Sequence, residues 1–251
     1  MRVFFDLSYR GAPFHGWQVQ PGVVTVQSVI EDALTRLCRI PTSIVGAGRT
    51  DAGVNARQMI AHCDLPDGFD VGERFLYSLN SMIGRDIAIH SVTPVHGDAH
   101  ARFDADRRTY RYFVHTSKNP FLGELSWQAP PFLDFEAMNE AAALLVGKRD
   151  FTSFSKLHTD VKTNICDLRT AAWHQFDEDS SRWYFEISAD RFLRNMVRAV
   201  VGTLVDIGRH KSAPESILST LAAADRCAAG TSMPPAPLFL WSVSYPYYPK
   251  K

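Results

Sequence analysis

Hydrophobic periodicity in this chain alternates between strand-like and helix-like spacing in the same order twice, and that order restricts the possible folds. Arg2 to Tyr9 (RVFFDLSY) reads as a strand with Val3, Phe5 and Leu7 on one face. Thr25 is placed to cap a helix from Val26, where Val29, Ile30, Ala33, Leu34 and Leu37 recur at helical spacing. Pro41 to Val45 runs into a short strand, and Asn55 to Asp64 reads as another. A helix over Gly72 to Met82 and a strand over Ile87 to Val95 complete the first set. The second set begins with a strand over Arg107 to Thr116 and a helix over Phe135 to Val146. A strand pair follows, Ile165 to Phe176 and Trp183 to Ala189, hinged at Asp177 to Ser180. Helices over Phe192 to Ile207 and Pro214 to Ala223 precede a last strand, Leu238 to Tyr245. The expected class is α+β: two ferredoxin-like (β-α-β-β-α-β) subdomains, residues 1–100 and 101–251, with antiparallel sheets flanking a central cleft. Helices would cover one face of each sheet and leave the other free.

Charge is balanced, with 27 Lys and Arg against 27 Asp and Glu, so a nucleic-acid partner would have to be attracted by a local patch. Met1 to Phe14 carries charges every few residues and does not read as a signal peptide, and no apolar run approaches the ~18 residues of a membrane span. Cys38, Cys63, Cys166 and Cys227 lie far apart without a CxxC pair, which reads as buried thiols in a reducing cytoplasm. His96 and His100 have the spacing of helical metal ligands, but Gly97 and Asp98 between them indicate a loop, and no metal is expected.

The stretch Gly46-Ala47-Gly48-Arg49-Thr50-Asp51-Ala52-Gly53-Val54 surrounds one arginine and one carboxylate with small residues. Small residues permit a tight turn and a close approach of ligand to backbone. A dinucleotide fingerprint is excluded, because position 51 is Asp and no helix-forming run follows. Two readings stay open from the loop alone. Arg49 and Asp51 are solvated turn residues, or Asp51 is a nucleophile or base held by a cation.

Two basic stretches bear on that choice. Arg191, Arg194 and Arg198 recur at three- and four-residue spacing and would form one stripe on a largely apolar helix. Arg198 is flanked by Met196, Val197, Ala199 and Val200, so it would be buried and would need an anionic partner, for which Asp51 is the candidate. An adjacent guanidinium keeps a carboxylate ionised, as a nucleophile requires. The second stretch interleaves Arg102, Arg107, Arg108 and Arg111 with Phe103, Tyr110 and Tyr112. Guanidinium groups pair with phosphates and rings stack on unpaired bases, although core tyrosines beside surface arginines would give the same pattern.

Five segments, in order along nearly the whole chain, resemble the TruA family of tRNA pseudouridine synthases. They are Tyr9-Arg10-Gly11 with Phe14 to Gln20, Gly48 to Val54, Ala101-Arg102-Phe103 with Arg108 to Tyr112, Asp150 to Phe154, and Phe192-Leu193 with Met196 to Arg198 and Val201 to Leu204. The resemblance implies an enzyme that converts uridine to pseudouridine at positions 38 to 40 of the tRNA anticodon stem-loop. It also implies a cytoplasmic homodimer without metal or organic cofactor. By motif position Asp51 is the nucleophile, Arg198 its partner, Tyr110 the ring stacked on the target base, and Arg49 the group that helps displace that base. Arg102, Arg108, Arg191 and Arg194 would contact RNA. A bound stem must give up its target base before reaction, which suits an aromatic platform.

Two positions depart from the family pattern. Asn55 stands where the family usually has His, a position assigned here to RNA contact, and Pro237 stands where Gly usually precedes the last strand. The competing expectations are an RNA-binding protein that keeps the fold without the activity, and a synthase of the same family acting on other RNA sites. Binding alone would not require a carboxylate close to phosphates.

Overall fold

The structure, a computed structural model, describes residues 1–156 and 163–248. It divides into two compact units, Met1–Asp106 together with the chain from Phe239, and Arg107–Leu238.

The first unit is built from strands β1 (Arg2–Tyr9), β2 (Val45–Gly46), β3 (Asn55–Asp64) and β4 (Ile87–Pro94), with helices α1 (Val26–Cys38) and α2 (Glu73–Met82). Antiparallel pairing gives the order β4-β1-β3. The remaining edge of β3 takes β2 at His62 and Ala61, and also the last strand of the chain, Leu238–Ser244, which runs parallel to β3 at Phe239↔Asn55 and Leu240↔Ala56. Thr25 caps α1: its hydroxyl accepts from the Ser28 amide, while the Ser28 hydroxyl accepts from the Thr25 amide. Val3, Phe5 and Leu7 of β1 are fully buried, as are Ile30 and Leu34 of α1 and Leu79 of α2. Each such side chain contributes roughly 1.5–3 kcal/mol by leaving water.

The opposite face of β1 is not bare, contrary to the expectation for a half-covered sheet. Phe4 is fully buried, and Tyr245, Tyr247 and Tyr248 pack their rings 5.2, 6.3 and 5.4 Å from it. The C-terminal tyrosines thus close the part of the sheet around Phe4.

The second unit contains β5 (Arg107–His115), β6 (Trp127–Gln128), β7 (Gly147–Asp150), β8 (Ile165–Phe176) and β9 (Asp179–Ala189), with α3 (Phe135–Ala143), α4 (Met196–Gly208) and α5 (Ser216–Ala223). The final strand, shared in sequence with the end of this unit, is β10 (Leu238–Ser244). The antiparallel order is β5-β9-β8-β7, and β6 adds in parallel to β5. The β8–β9 hairpin turns at Asp177-Glu178, so β9 begins four residues before the expected Trp183. Helices α3 and α4 pack together at Gly208, where an added Cβ would lie 2.3 Å from Met138 Sδ. Phe135 stacks on Trp183 with centroids 3.9 Å apart and rings nearly parallel.

Helix α4 starts at Met196, not at Phe192. Asn195 adopts φ 66°, in the left-handed region, and ends the preceding irregular segment. Arg191 and Arg194 therefore precede the helix and do not share a helical stripe with Arg198. Of the four cysteines, Cys63 and Cys166 are buried as expected, Cys38 is half-buried and Cys227 is exposed. No helix among the described residues is long and apolar enough to cross a membrane.

Candidate active site

The Gly46–Val54 loop is fixed by the segment that follows β1. The Tyr9 hydroxyl shares a 2.7 Å hydrogen bond with Thr50 Oγ1. The Trp17 amide donates to the Thr50 carbonyl at 3.2 Å, and the Ala47 amide donates to the Ile60 carbonyl at 2.7 Å. Gly11 donates its N–H to Asn55 Oδ1 at 2.8 Å. Two of the glycines here are needed for contact. A Cβ on Gly11 would lie 2.3 Å from the Val54 carbonyl oxygen, and one on Gly46 would lie 2.6 Å from the Trp17 ring. Within the loop the Val54 amide donates to the Asp51 carbonyl at 3.1 Å, with Gly53 at φ 78°. The result is a stiff turn in which Thr50 and Val54 are buried, Asp51 is half-buried and Arg49 is exposed.

Asn55 is 1% exposed, so it is not placed to touch RNA, and the role assigned to it from sequence is corrected. It ties the segment after β1 to the loop that carries Asp51. Tyr9, Gly11, Gly16, Trp17 and Asn55 all support that loop, a function that sequence reasoning did not assign to them. The signal was present as a run rich in Gly, Trp and His. Gly16, at φ 86°, would place a Cβ 2.6 Å from the Thr50 carbonyl oxygen.

Arg102 lies in the same unit, exposed on a turn that follows β4. Two imidazoles hold this turn by accepting backbone N–H groups. Ala101 donates to His62 Nδ1 at 3.1 Å, and Arg102 and Phe103 donate to His100 Nδ1 at 3.1 and 3.2 Å. The two rings meet edge to face with centroids 4.6 Å apart. Burial pushes the His62 pKa down to about 4, helped by His100 and Arg2 and opposed by Asp64 and Asp104. Burial also lowers that of His100. Both rings are thereby kept neutral and able to accept.

In the second unit Arg198 is half-buried on α4. Its Nε donates to the Met233 carbonyl at 2.5 Å, and the Met233 amide returns a 3.1 Å bond to the Arg198 carbonyl. The chain at Thr231 crosses α4 at Gly202, where a Cβ would sit 1.8 Å from the Thr231 oxygen. Tyr110 is half-buried on β5, and its ring meets Phe192 edge-on at 5.0 Å. Arg108 donates to the Asp190 carbonyl at 2.6 Å, and the Arg191 amide donates to Asp190 Oδ1 at 2.7 Å. Arg194 is exposed. Arg111 is held by Glu186 at 2.7 Å and lies 4.4 Å over the Tyr184 ring, which makes it a structural cation. Tyr112 is fully buried, and burial raises its phenol pKa. Asp51 and Arg49 thus share one loop, while Tyr110 and Arg198 stand on a strand and a helix of the other unit. Pro237, the second departure, accepts from the Phe113 amide at 3.0 Å, a bond that needs no N–H from residue 237.

A family model described as tRNA pseudouridine synthase matches residues 141–246. A tRNA pseudouridine synthase A from Parabacteroides distasonis is 52% identical over 245 residues, covering 98% of this chain and 96% of its own length. One from Bacteroides thetaiotaomicron is 49% identical over 98% of this chain and 91% of its own length. A more distant one from Bacillus subtilis keeps 39% identity over 98% and 99%. The chain belongs to the tRNA pseudouridine synthase A family.

Proposed function

We propose that this protein isomerises uridine to pseudouridine in tRNA, at positions 38 to 40 of the anticodon stem-loop, with Asp51 as nucleophile. The observation that carries the reading is a carboxylate presented on a turn braced by Tyr9, Gly11, Trp17 and Asn55, in a chain of this family. A rigid support of this kind holds a reacting group in place without an ordering cost at each turnover.

The reaction breaks the bond between ribose C1′ and uracil N1 and forms one between C1′ and C5. The C5 hydrogen leaves to solvent as a proton, and N1 takes up a proton. An ionised carboxylate assists by adding covalently to the sugar or to the base ring, and no oxidation or hydrolysis is involved. Arg198 is the cation proposed to pair with Asp51, and its Nε anchor on Met233 supports a fixed guanidinium. Tyr110 is proposed to stack on the target base, with Phe192 holding its ring. Arg49 helps displace the base, and Arg102, Arg108, Arg191 and Arg194 meet the backbone. On this reading each unit is a ferredoxin-like subdomain with an antiparallel sheet. The order β4-β1-β3-β2 in the first unit supports that description. The working protein is a homodimer in the cytoplasm, where tRNA is met.

The test uses tRNA transcripts tritiated at uracil C5, incubated with wild type and with Asp51→Ala. Release of tritium to water by the wild type alone, with tRNA binding retained by the variant, is the expected result. Binding without release by the wild type would replace the reading with an RNA-binding protein. Equal release by both proteins would remove Asp51 from its role.

A further inference from the structure

Three aromatic rings are interleaved with arginines between residues 102 and 112, and the structure gives them different environments. Tyr112 is fully buried, and Tyr110 is half-buried against Phe192. Phe103 is 73% exposed. A single exposed apolar residue is ordinary on a protein surface, so exposure alone decides nothing. The support beneath this ring is what distinguishes it. His100 lies under Phe103 with ring centroids 4.2 Å apart and planes tilted by 31°. The His100 Nδ1 accepts from the Phe103 amide itself, so the ring that supports the side chain also fixes its backbone.

The rest of the turn is equally constrained. The His100 amide donates to Asp104 Oδ2 at 2.7 Å, and the Tyr247 hydroxyl donates to the same oxygen at 2.6 Å. The Asp104 amide donates to the His100 carbonyl at 3.1 Å. Tyr245 donates its hydroxyl to the Ala101 carbonyl at 2.6 Å, and both Ala99 and Ala101 are wholly buried. A large apolar ring is thus displayed to solvent on a turn that is tied down on every side. The Arg102 guanidinium is also exposed, with its carbon 5.8 Å from the Phe103 ring centroid. A neighbouring cation and flat apolar ring offer one contact for a phosphate and one for a base.

We propose that Phe103 is a stacking platform for an unpaired base of the bound tRNA, with Arg102 on the adjoining phosphate. The inference rests on the tRNA reading above and adds a second aromatic contact, separate from the Tyr110 ring assigned to the target base. A preorganised ring binds without the entropic cost of ordering a loop, which suits a contact that positions the anticodon arm.

The test compares Phe103→Ala, Phe103→Leu and Phe103→Trp with wild type, using the full chain and a substrate tRNA. Stacking predicts a rise of roughly 5- to 150-fold in Kd and KM for the Ala variant, the range that loss of one base–aromatic stack produces. Leu, apolar but without a π-face, should behave like Ala, and Trp should hold near wild type. A 2-aminopurine walked through the anticodon loop should show one position whose quenching by the wild type is lost in Phe103→Ala. Affinities within twofold of wild type for all three variants would overturn the proposal. So would a change in oligomeric mass by light scattering that accounts for the lost affinity, since the ring would then be a subunit contact. The function reading fails by a different result, an absence of tritium release from the wild type, which leaves the Kd comparison readable.

Discussion

Acid should destabilise the first unit, with His62 as the main side chain responsible. In the unfolded chain its imidazole titrates at 6.5, whereas in the folded protein it is pushed down to about 4. Between these values the unfolded state binds a proton that the folded state refuses, so stability must fall as pH falls. Above about pH 7 both states are neutral and the full stability is present. Descending to about pH 4 costs roughly 3 kcal/mol, at 1.36 kcal/mol for each unit between the two pKa values. The structural cause is specific. His62 is 6% exposed and its Nδ1 accepts the Ala101 N–H, so a proton there would remove an acceptor and bury a charge close to Arg2 and His100. His100 adds an effect of the same sign, because its pKa is also lowered. Comparing wild type with His62→Gln separates the two, since Gln offers an acceptor but does not titrate. Urea unfolding followed by amide exchange in residues 99–105 would measure this unit directly. At about pH 7 the Gln variant should be less stable, and by about pH 4 the gap should shrink by about 3 kcal/mol. A gap that stays constant across that range would refute the argument.

Asn55→Ala should lower stability by about 1–3 kcal/mol, because the buried Gly11 N–H loses the Asn55 Oδ1 acceptor. Thermal melts would show the loss, and tritium release should fall although Asp51 is untouched, with Asn55→Asp recovering part of both. Gly202→Ala forces a Cβ against the Thr231 carbonyl and should cost about 1–3 kcal/mol or more, loosening the Met233 anchor of Arg198. Chemical denaturation, with tritium release as a second readout, checks it. Rising ionic strength should weaken tRNA binding steeply. If Arg102, Arg108, Arg191 and Arg194 each meet a phosphate, the slope of log K against log salt should be about −3. A flat response in filter binding would remove the arginines from that role.

What could be read from the residues, and what could not, follows from the range of the interactions involved. The Asp51 turn was legible because its cause is local: small residues, one charge of each sign, and strands on both sides. The Thr25 cap was legible for the same reason. The start of α4 was not, because apolar periodicity continues from Phe192 through the break and gives no sign that Asn195 takes a left-handed conformation. Strand β7 was missed since Lys148, Arg149 and Asp150 are all exposed, and an edge strand of charged residues carries no alternation to detect.

The same contrast explains Asn55. From sequence it was a polar residue beside the Asp51 loop, and contact with RNA was a natural assignment. Its actual partner, Gly11, is 44 residues away, and only the folded chain shows that the side chain is spent on bracing. The tyrosines after β10 are a larger example: nothing in Tyr245 to Tyr248 indicates that they cover Phe4 from more than 200 residues away, or that Tyr247 orders the turn at Asp104. Local pattern therefore located the Asp51 turn, while the parts that hold it and the turn at Arg102 and Phe103 depend on contacts closed by distant segments. Changes at those distant positions should alter activity without altering the chemical groups that perform it. This is why Asn55 and Gly202, and not only Asp51, are the informative residues to substitute.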